Sequence, residues 1–142
     1  MHTSSTGIEE INELEKQLVF LLNLDGWRLE WSGADFNHFD AKGLDLNGSS
    51  CIIEFKFRNE AYIDKMLEVY KYQALLDVDV PKRYYAVIDF KGCWVFDLDS
   101  IEYTSQTINS PRQSIFNDTN KVEKQVMMLE KSSAVKRYLY KF

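Results

Sequence analysis

Asn47-Gly48 is the feature that most constrains this chain. The pair separates two apolar runs, 39–46 and 51–58, and an Asn-Gly connection between such runs is the strongest short-range hairpin signal, because its backbone matches the twist of the flanking strands. Along the second run, "CIIEFKFR", alternate side chains share a face. Cys51, Ile53, Phe55 and Phe57 therefore point one way, and Ile52, Glu54, Lys56 and Arg58 the other. The first set reads as core. The second turns from apolar to charged halfway along, as a strand does when it leaves the cover of a helix for an open cleft; a solvated charge ladder is the plain alternative.

Register decides what the charges can meet. A two-residue turn at Asn47-Gly48 would set Ala41 opposite Glu54 and turn Asp40 to the other face. Convergence of Asp40 with Glu54 needs one extra residue, supplied at Gly43 or Gly48 by a bulge or a three-residue loop. Asp45, the rival acid, would lie near Ser50 at the turn, about 13 Å from Glu54 at strand rise, and is set aside.

Around the hairpin, Ile8, Ile11, Leu14, Leu18, Leu21 and Leu22 recur at helical spacing and Gly26 supplies a stop, predicting a helix over 8–24. A strand follows at 27–31. Tyr62, Met66, Val69, Tyr70 and Leu76 predict a second helix over 60–77. "RYYAVID" and "CWVFDL", joined at Lys91-Gly92, read as two strands. A polar loop containing Pro111 then leads to a helix over 119–130 that the last residues continue. The order α-β-β-β-α-β-β-α implies an α/β fold, a mixed central sheet flanked by helices. With 142 residues, 45% of them hydrophobic, the chain suits one domain over 1–142. Its core is expected at about 8–98, with a basic helical segment at about 111–142.

Cys51 and Cys93 are expected as reduced core residues. Neither a secretory leader nor an apolar run of roughly 18 residues is present, so the expectation is a cytoplasmic protein, of a bacterium or phage-infected host, with no membrane partner. The net charge of −5 is unevenly placed: residues 111–142 carry seven Lys/Arg against three acids, a net +4, leaving −9 on the rest. A basic end suggests an anionic partner, with Lys121, Lys124 and Lys136 as contacts; a solvated helix face is equally consistent.

On the first helix Glu15 lies about 40° from Ile11, inside the stripe made by Ile8, Leu18 and Leu22, so its carboxylate faces the sheet. Asp40 stands between Phe39 and Ala41 on the strand paired with that of Glu54. Three acids can thus converge beside Lys56, and buried acids need a cation, a metal or several donors. Gln73, amid the apolar residues of the second helix, would also need partners. His38 reads as structural or a nucleic-acid contact.

These residues resemble the PD-(D/E)XK nuclease superfamily. "FDA" at Asp40 followed by "IIEFK" at Glu54 and Lys56, after "LEKQLVFLLNLDGW", matches its aspartate strand, Glu-x-Lys strand and acid-bearing helix. Glu15 stands about where archaeal Holliday junction resolvases of that superfamily carry their helix glutamate; Phe39 replaces the usual proline. The resemblance implies a restriction-endonuclease-like core and a Mg²⁺-dependent endonuclease, with Mn²⁺ substituting, that hydrolyses DNA phosphodiester bonds, of the phage, mobile-element or junction-resolving kind. It implies Asp40, Glu54, the Phe55 carbonyl and Glu15 as metal ligands, Lys56 and Gln73 as further catalytic residues, and Arg58 beside the basic tail as a nucleic-acid contact. The expected partner is DNA, with RNA and a homodimer left open. The rival is a nucleic-acid- or protein-binding module that keeps the fold without cleaving.

Overall fold

The computed structural model describes residues 4–33, 39–101, 103–111 and 121–139, apart from the side chains at 4–6, 109–111 and 121–122. In chain order the elements are α1 (Ser4–Leu24), β1 (Arg28–Trp31), β2 (Ala41–Leu44), β3 (Ser50–Phe57), β4 (Asp64–Glu68), α2 (Val69–Leu76), β5 (Lys82–Asp89), β6 (Gly92–Asp97), β7 (Tyr103–Pro111), β8 (Lys121–Glu130), a 3-10 turn (Lys131–Ser133) and β9 (Lys136–Tyr138). The fold is mixed α/β. A six-stranded sheet runs β1-β2-β3-β5-β6-β9, and a three-stranded sheet runs β4-β8-β7. Among the described residues only the β3–β5 pairing is parallel, and α2 lies on the chain path between those strands.

Helix α1 ends where Gly26, at φ 112°, takes the left-handed conformation a side chain resists. Its amide donates to the Asn23 carbonyl, and Trp27 N–H reaches back to the Leu22 carbonyl, satisfying two of the last carbonyls of the helix. The helix then lays Leu18, Val19 and Leu22 on one face of the large sheet, against Ile53, Phe55, Ala86 and Val95. The opposite face, with Ile52, Tyr85, Val87 and Phe96, is covered by Leu75 of α2 and by Leu67, Met127 and Leu129 of the small sheet. Strand β3 is thus buried on both faces at its start and keeps the alternation read from the sequence. Cys51 and Cys93 are buried free thiols, pushed up to about 12 by loss of water.

The expected element order is corrected in four places. The segment 60–77 is a strand followed by a short helix, not one helix: in β4, Lys65 and Leu67 are the buried residues, and a lysine on the inward face disguised the period of two. The segment 119–130 is a strand as well. Val122, Val126 and Leu129 fit helical spacing, but β4 and β7 flank β8 and pair with it along its length, and non-local pairing overrides local pattern. The polar loop before it is β7, and the last residues form β9 on the edge of the large sheet instead of prolonging a helix. The basic end is consequently divided between two sheets. No helix among the described residues is long and apolar enough to cross a membrane.

Candidate active site

The hairpin contains the extra residue. Asp45 and Gly48 close a turn through Gly48 N–H to the Asp45 carbonyl at 3.0 Å, and Gly48 takes φ 80°, giving a three-residue connection. Asp45 caps it, accepting 2.9 Å bonds from Asn47 and Ser49 N–H, and a 2.7 Å bond from the Tyr84 hydroxyl. These donors outweigh the cost of burial and hold its pKa below the ordinary value. Asp45 is therefore a turn residue. Ala41 pairs with Ile53 instead of Glu54, which sets Asp40 opposite Glu54. Next to Glu54 on the other side is Tyr85.

Asp40 sits where β2 begins. Its N–H donates to the Ile53 carbonyl at 3.0 Å, its carbonyl accepts from Ser32 N–H at 2.7 Å, and its Oδ2 accepts from Phe55 N–H at 2.8 Å. The motif aspartate is thereby tied to the backbone of the Glu-x-Lys strand. Glu15 is 7% exposed and shares the inward stripe of α1 with Leu18, Val19 and Leu22. It accepts a 2.9 Å hydrogen bond from Trp31 Nε1. Gly33 leaves room for this contact: a Cβ there would stand 2.7 Å from Trp31 Nε1 and 2.8 Å from Glu15 Oε1.

All three acids hold protons more tightly than usual. Burial raises Glu15 from 4.5 to about 7, the Trp31 bond opposes this, and Asp40 raises it further. Glu54 rises from 4.5 to about 8 through burial and the charges of Asp40 and Glu15, against the pull of Lys71 and Lys56. Asp40 is also raised, burial outweighing the Phe55 amide and Lys71. Lys56 is strained in the opposite sense. Burial, with Arg58 and Lys71 nearby, lowers Lys56 from its usual value, while Glu68 and Glu54 resist. Negative charge is in excess in a poorly hydrated place.

Lys71 was not anticipated. Its Nζ lies 3.8 Å from Glu54 Oε1. The signal was present but misphased: the buried residue of α2 is Leu75, one turn after Lys71, whereas the longer predicted helix put Leu76 inside. That same error misplaced Gln73, which is exposed instead of facing the buried side of α2.

Of the expected nucleic-acid contacts, Arg58 is half-buried beyond Lys56 on the same face. Lys124 is tied to Glu68 at 3.3 Å, close enough to the site for Glu68 to act on Lys56. Lys136 pairs with Asp25 at 3.5 Å on β9, three strands from β3 and so about 14 Å across the sheet. It does not join the cluster. Lys121 begins β8 but its side chain lies outside the described residues, as does His38 altogether.

The donor set suits a hard cation, since it consists of carboxylate oxygens with unmet negative charge. Among the described residues, however, no three His, Cys, Asp or Glu side chains are grouped as a ready-made metal cage. Two carboxylates and a backbone carbonyl, the set implied by the resemblance, would fall short of such a group in any case. No family model and no curated protein matches the chain.

Proposed function

We propose that this protein is a metal-dependent nuclease with a restriction-endonuclease-like core, cleaving DNA phosphodiester bonds by means of Asp40, Glu54, Lys56 and Glu15. One observation carries the reading: three acids on separate elements meet with raised proton affinity beside a lysine whose own affinity is lowered. Mutual disfavour of this kind costs stability and is typical of sites arranged for chemistry.

Asp40 and Glu54, with the Phe55 carbonyl, would hold Mg²⁺ or Mn²⁺, and Glu15 would bear on a second ion or a bound water. The ion when bound would polarise the scissile phosphate and supply hydroxide near neutral pH. The chain's own residues do the rest. Phe55 N–H fixes the Asp40 carboxylate and Trp31 fixes that of Glu15, so the donors are oriented before substrate arrives. Lys56, poorly hydrated and partly opposed by Arg58 and Lys71, offers its ammonium to the phosphate oxygens as charge builds on them. Lys71, 3.8 Å from Glu54, favours its charged form without overcoming burial, and would be free to face the phosphate once Glu54 had another counter-ion.

The rival reading has an observation of its own. Lys71 already stands beside Glu54, so the cluster is partly self-neutralised, as in a binding module that has lost catalysis. Incubation with Mg²⁺ and linear, nicked and four-way DNA, alongside RNA, separates the two. Cleavage by wild type that is lost in Glu54→Gln supports the enzyme; binding without cleavage of any substrate supports the module.

A further inference from the structure

The two sheets present four edges among the described residues, at β1, β9, β4 and β7. An open edge offers unpaired backbone donors and acceptors, and charged side chains or short strands are the usual protection against pairing with another chain. Three of the edges are short and charged. β1, of four residues, carries Arg28 and Glu30; β9, of three, carries Lys136 and Arg137; β4, of five, carries Asp64 and Glu68. The Met66 carbonyl of β4 is further occupied by the Tyr85 hydroxyl at 2.8 Å. β7 has neither protection. It runs nine residues, about 30 Å at strand rise, and it alone among the described strands carries no charged residue. Residues 103–107 are all exposed, and Pro111 stands at the last position, where it ends pairing instead of interrupting it. The hairpin also lacks support at its far end. β4 flanks β8 only over 126–130, so 107–111 of β7 and 121–125 of β8 form a two-stranded ribbon, a marginal arrangement in water.

We infer that β7 pairs antiparallel with β7 of a second copy of this chain, joining two small sheets into one of six strands. Symmetry selects the occupant. In an isologous strand pair each residue meets its own counterpart across the two-fold axis, so a charge near the axis faces a like charge, and only an uncharged strand escapes that repulsion. A strand of a different protein would impose no such condition, since charges on β7 could be answered by opposite ones. The register that pairs the full strand sets Thr107 opposite Thr107 of the second copy, Ser105 opposite Asn109 and Tyr103 opposite Pro111, and hydroxyl-bearing residues are favourable cross-strand neighbours. Continued along the sequence, the same count brings Glu102 against Arg112 at each end, five positions either side of Thr107, so acid meets base where charge returns. Those two flanking residues lie outside the described residues. The second β7 also gives the two-stranded ribbon its third strand. The pairing is independent of the nuclease reading, because Glu54 and Lys56 belong to β3 of the large sheet.

Sedimentation equilibrium of the full chain over a range of concentrations tests the pairing. Wild type is expected to pass from one chain to two as concentration rises. Thr107→Lys and Thr107→Glu each set like charges face to face and should weaken the dimer at least about tenfold. Their melts should stay close to that of wild type, because Thr107 is exposed. Mixed in equal amounts, the two variants should associate at least about tenfold more tightly than either does alone, a rescue that requires the strand to meet its own copy at Thr107. Amide hydrogen exchange of wild type gives a reading without substitution: protection within 103–110 should rise as the dimer fills. A wild type that stays a single chain, a dimer that survives both substitutions, a mixture no tighter than its components, or exchange in β7 that ignores concentration would overturn the pairing.

Discussion

Lys65 and Asp89 meet at 3.0 Å with side chains 3% and 1% exposed, one cation to one acid, beneath the Trp94 ring. On the same face of the large sheet stands Glu54, with Asp40 opposite it in register and Glu15 of α1 within electrostatic reach, and all three acids have raised proton affinities. Both constellations are poorly hydrated; they differ in balance. The pair is closed on itself and its remaining donors and acceptors are met by the Tyr62 carbonyl and the Lys91 amide. The cluster holds more acid than Lys56 and Lys71 can neutralise. A balanced buried pair fixes where β4 docks, whereas an unbalanced one awaits a charge from outside. On the nuclease reading proposed above, the first is a structural element and the second the place of chemistry.

The largest effect should come from the cluster. Lys56→Ala is expected to lower single-turnover cleavage of DNA at least about 100-fold, since a cation aimed at developing charge acts chiefly in the transition state. Its melting temperature should stay close to that of wild type, because the amine is held at a cost in the folded protein. Normal cleavage by a folded Lys56→Ala protein would make Lys56 one rung of a surface ladder worth about 0.5 kcal/mol.

The pair should respond in the opposite manner. Lys65→Met leaves the Asp89 carboxylate buried beside Trp94 without its partner and is expected to cost about 3–5 kcal/mol in urea unfolding. Lys65→Met combined with Asp89→Leu should recover most of that, because a packed apolar pair replaces a packed ionic one. If the single substitution cost under about 1 kcal/mol, the pair would not be the closed structural element that the comparison requires.

This contrast also marks the limit of sequence reading. Alternation along 51–58 shows which residues of β3 face the cleft, and helical phase places Glu15 inward, because both depend on periods internal to one element. The need for one extra residue in the hairpin follows from parity alone, and Asp45 with Gly48 provides it. Lys65 defeats the same method. Its inward direction makes sense only with Asp89 and Trp94, twenty or more residues away, and without it β4 reads as part of a helix. Strand β8 is lost for a related reason, since its identity rests on two partners that local pattern does not reveal. Lys71 and Gln73 follow from the β4 error, because counting Tyr62 and Met66 in the helical stripe set the buried face of α2 away from Leu75.

Proton affinity sharpens the comparison further. Glu15 and Glu54 bind protons more tightly when folded than their ordinary value of 4.5, so their contribution is greatest at low pH and is lost as pH rises through about 7 and 8. The metal-free protein should lose stability between pH 5 and 8.5, by up to about 7 kcal/mol if both groups contribute in full and by less where solvent screens Glu15. Glu54→Gln should flatten much of that slope, and Mg²⁺ should restore more stability at pH 8 than at pH 6, where protons compete for the same oxygens. Urea titrations of both proteins with and without Mg²⁺ measure this. A slope of equal size in Glu54→Gln would place its origin outside the cluster.

The smallest change tests how finely the cluster is held. At Gly33 a Cβ would crowd Trp31 Nε1 and Glu15 Oε1 at 2.7 and 2.8 Å, so Gly33→Ala must push the Glu15–Trp31 hydrogen bond apart. The Glu15 carboxylate ends a flexible side chain and can give way where the indole cannot, which limits the expected loss of stability to about 1 kcal/mol. The more informative consequence is electrostatic. The Trp31 donor favours the charged form of Glu15 and opposes burial, so weakening it should raise the Glu15 midpoint above about 7. Side-chain carboxyl ¹³C NMR of wild type and Gly33→Ala, titrated without metal, would follow that midpoint directly. Protonated Glu15 donates to Asp40 and holds its proton affinity down, so a Glu15 that keeps its proton to higher pH should leave the Asp40 midpoint at or below its wild-type place. If Glu15 titrates unchanged in Gly33→Ala, its position is set by the packing of α1 through Leu18 and Leu22, and Trp31 has no part in tuning the site.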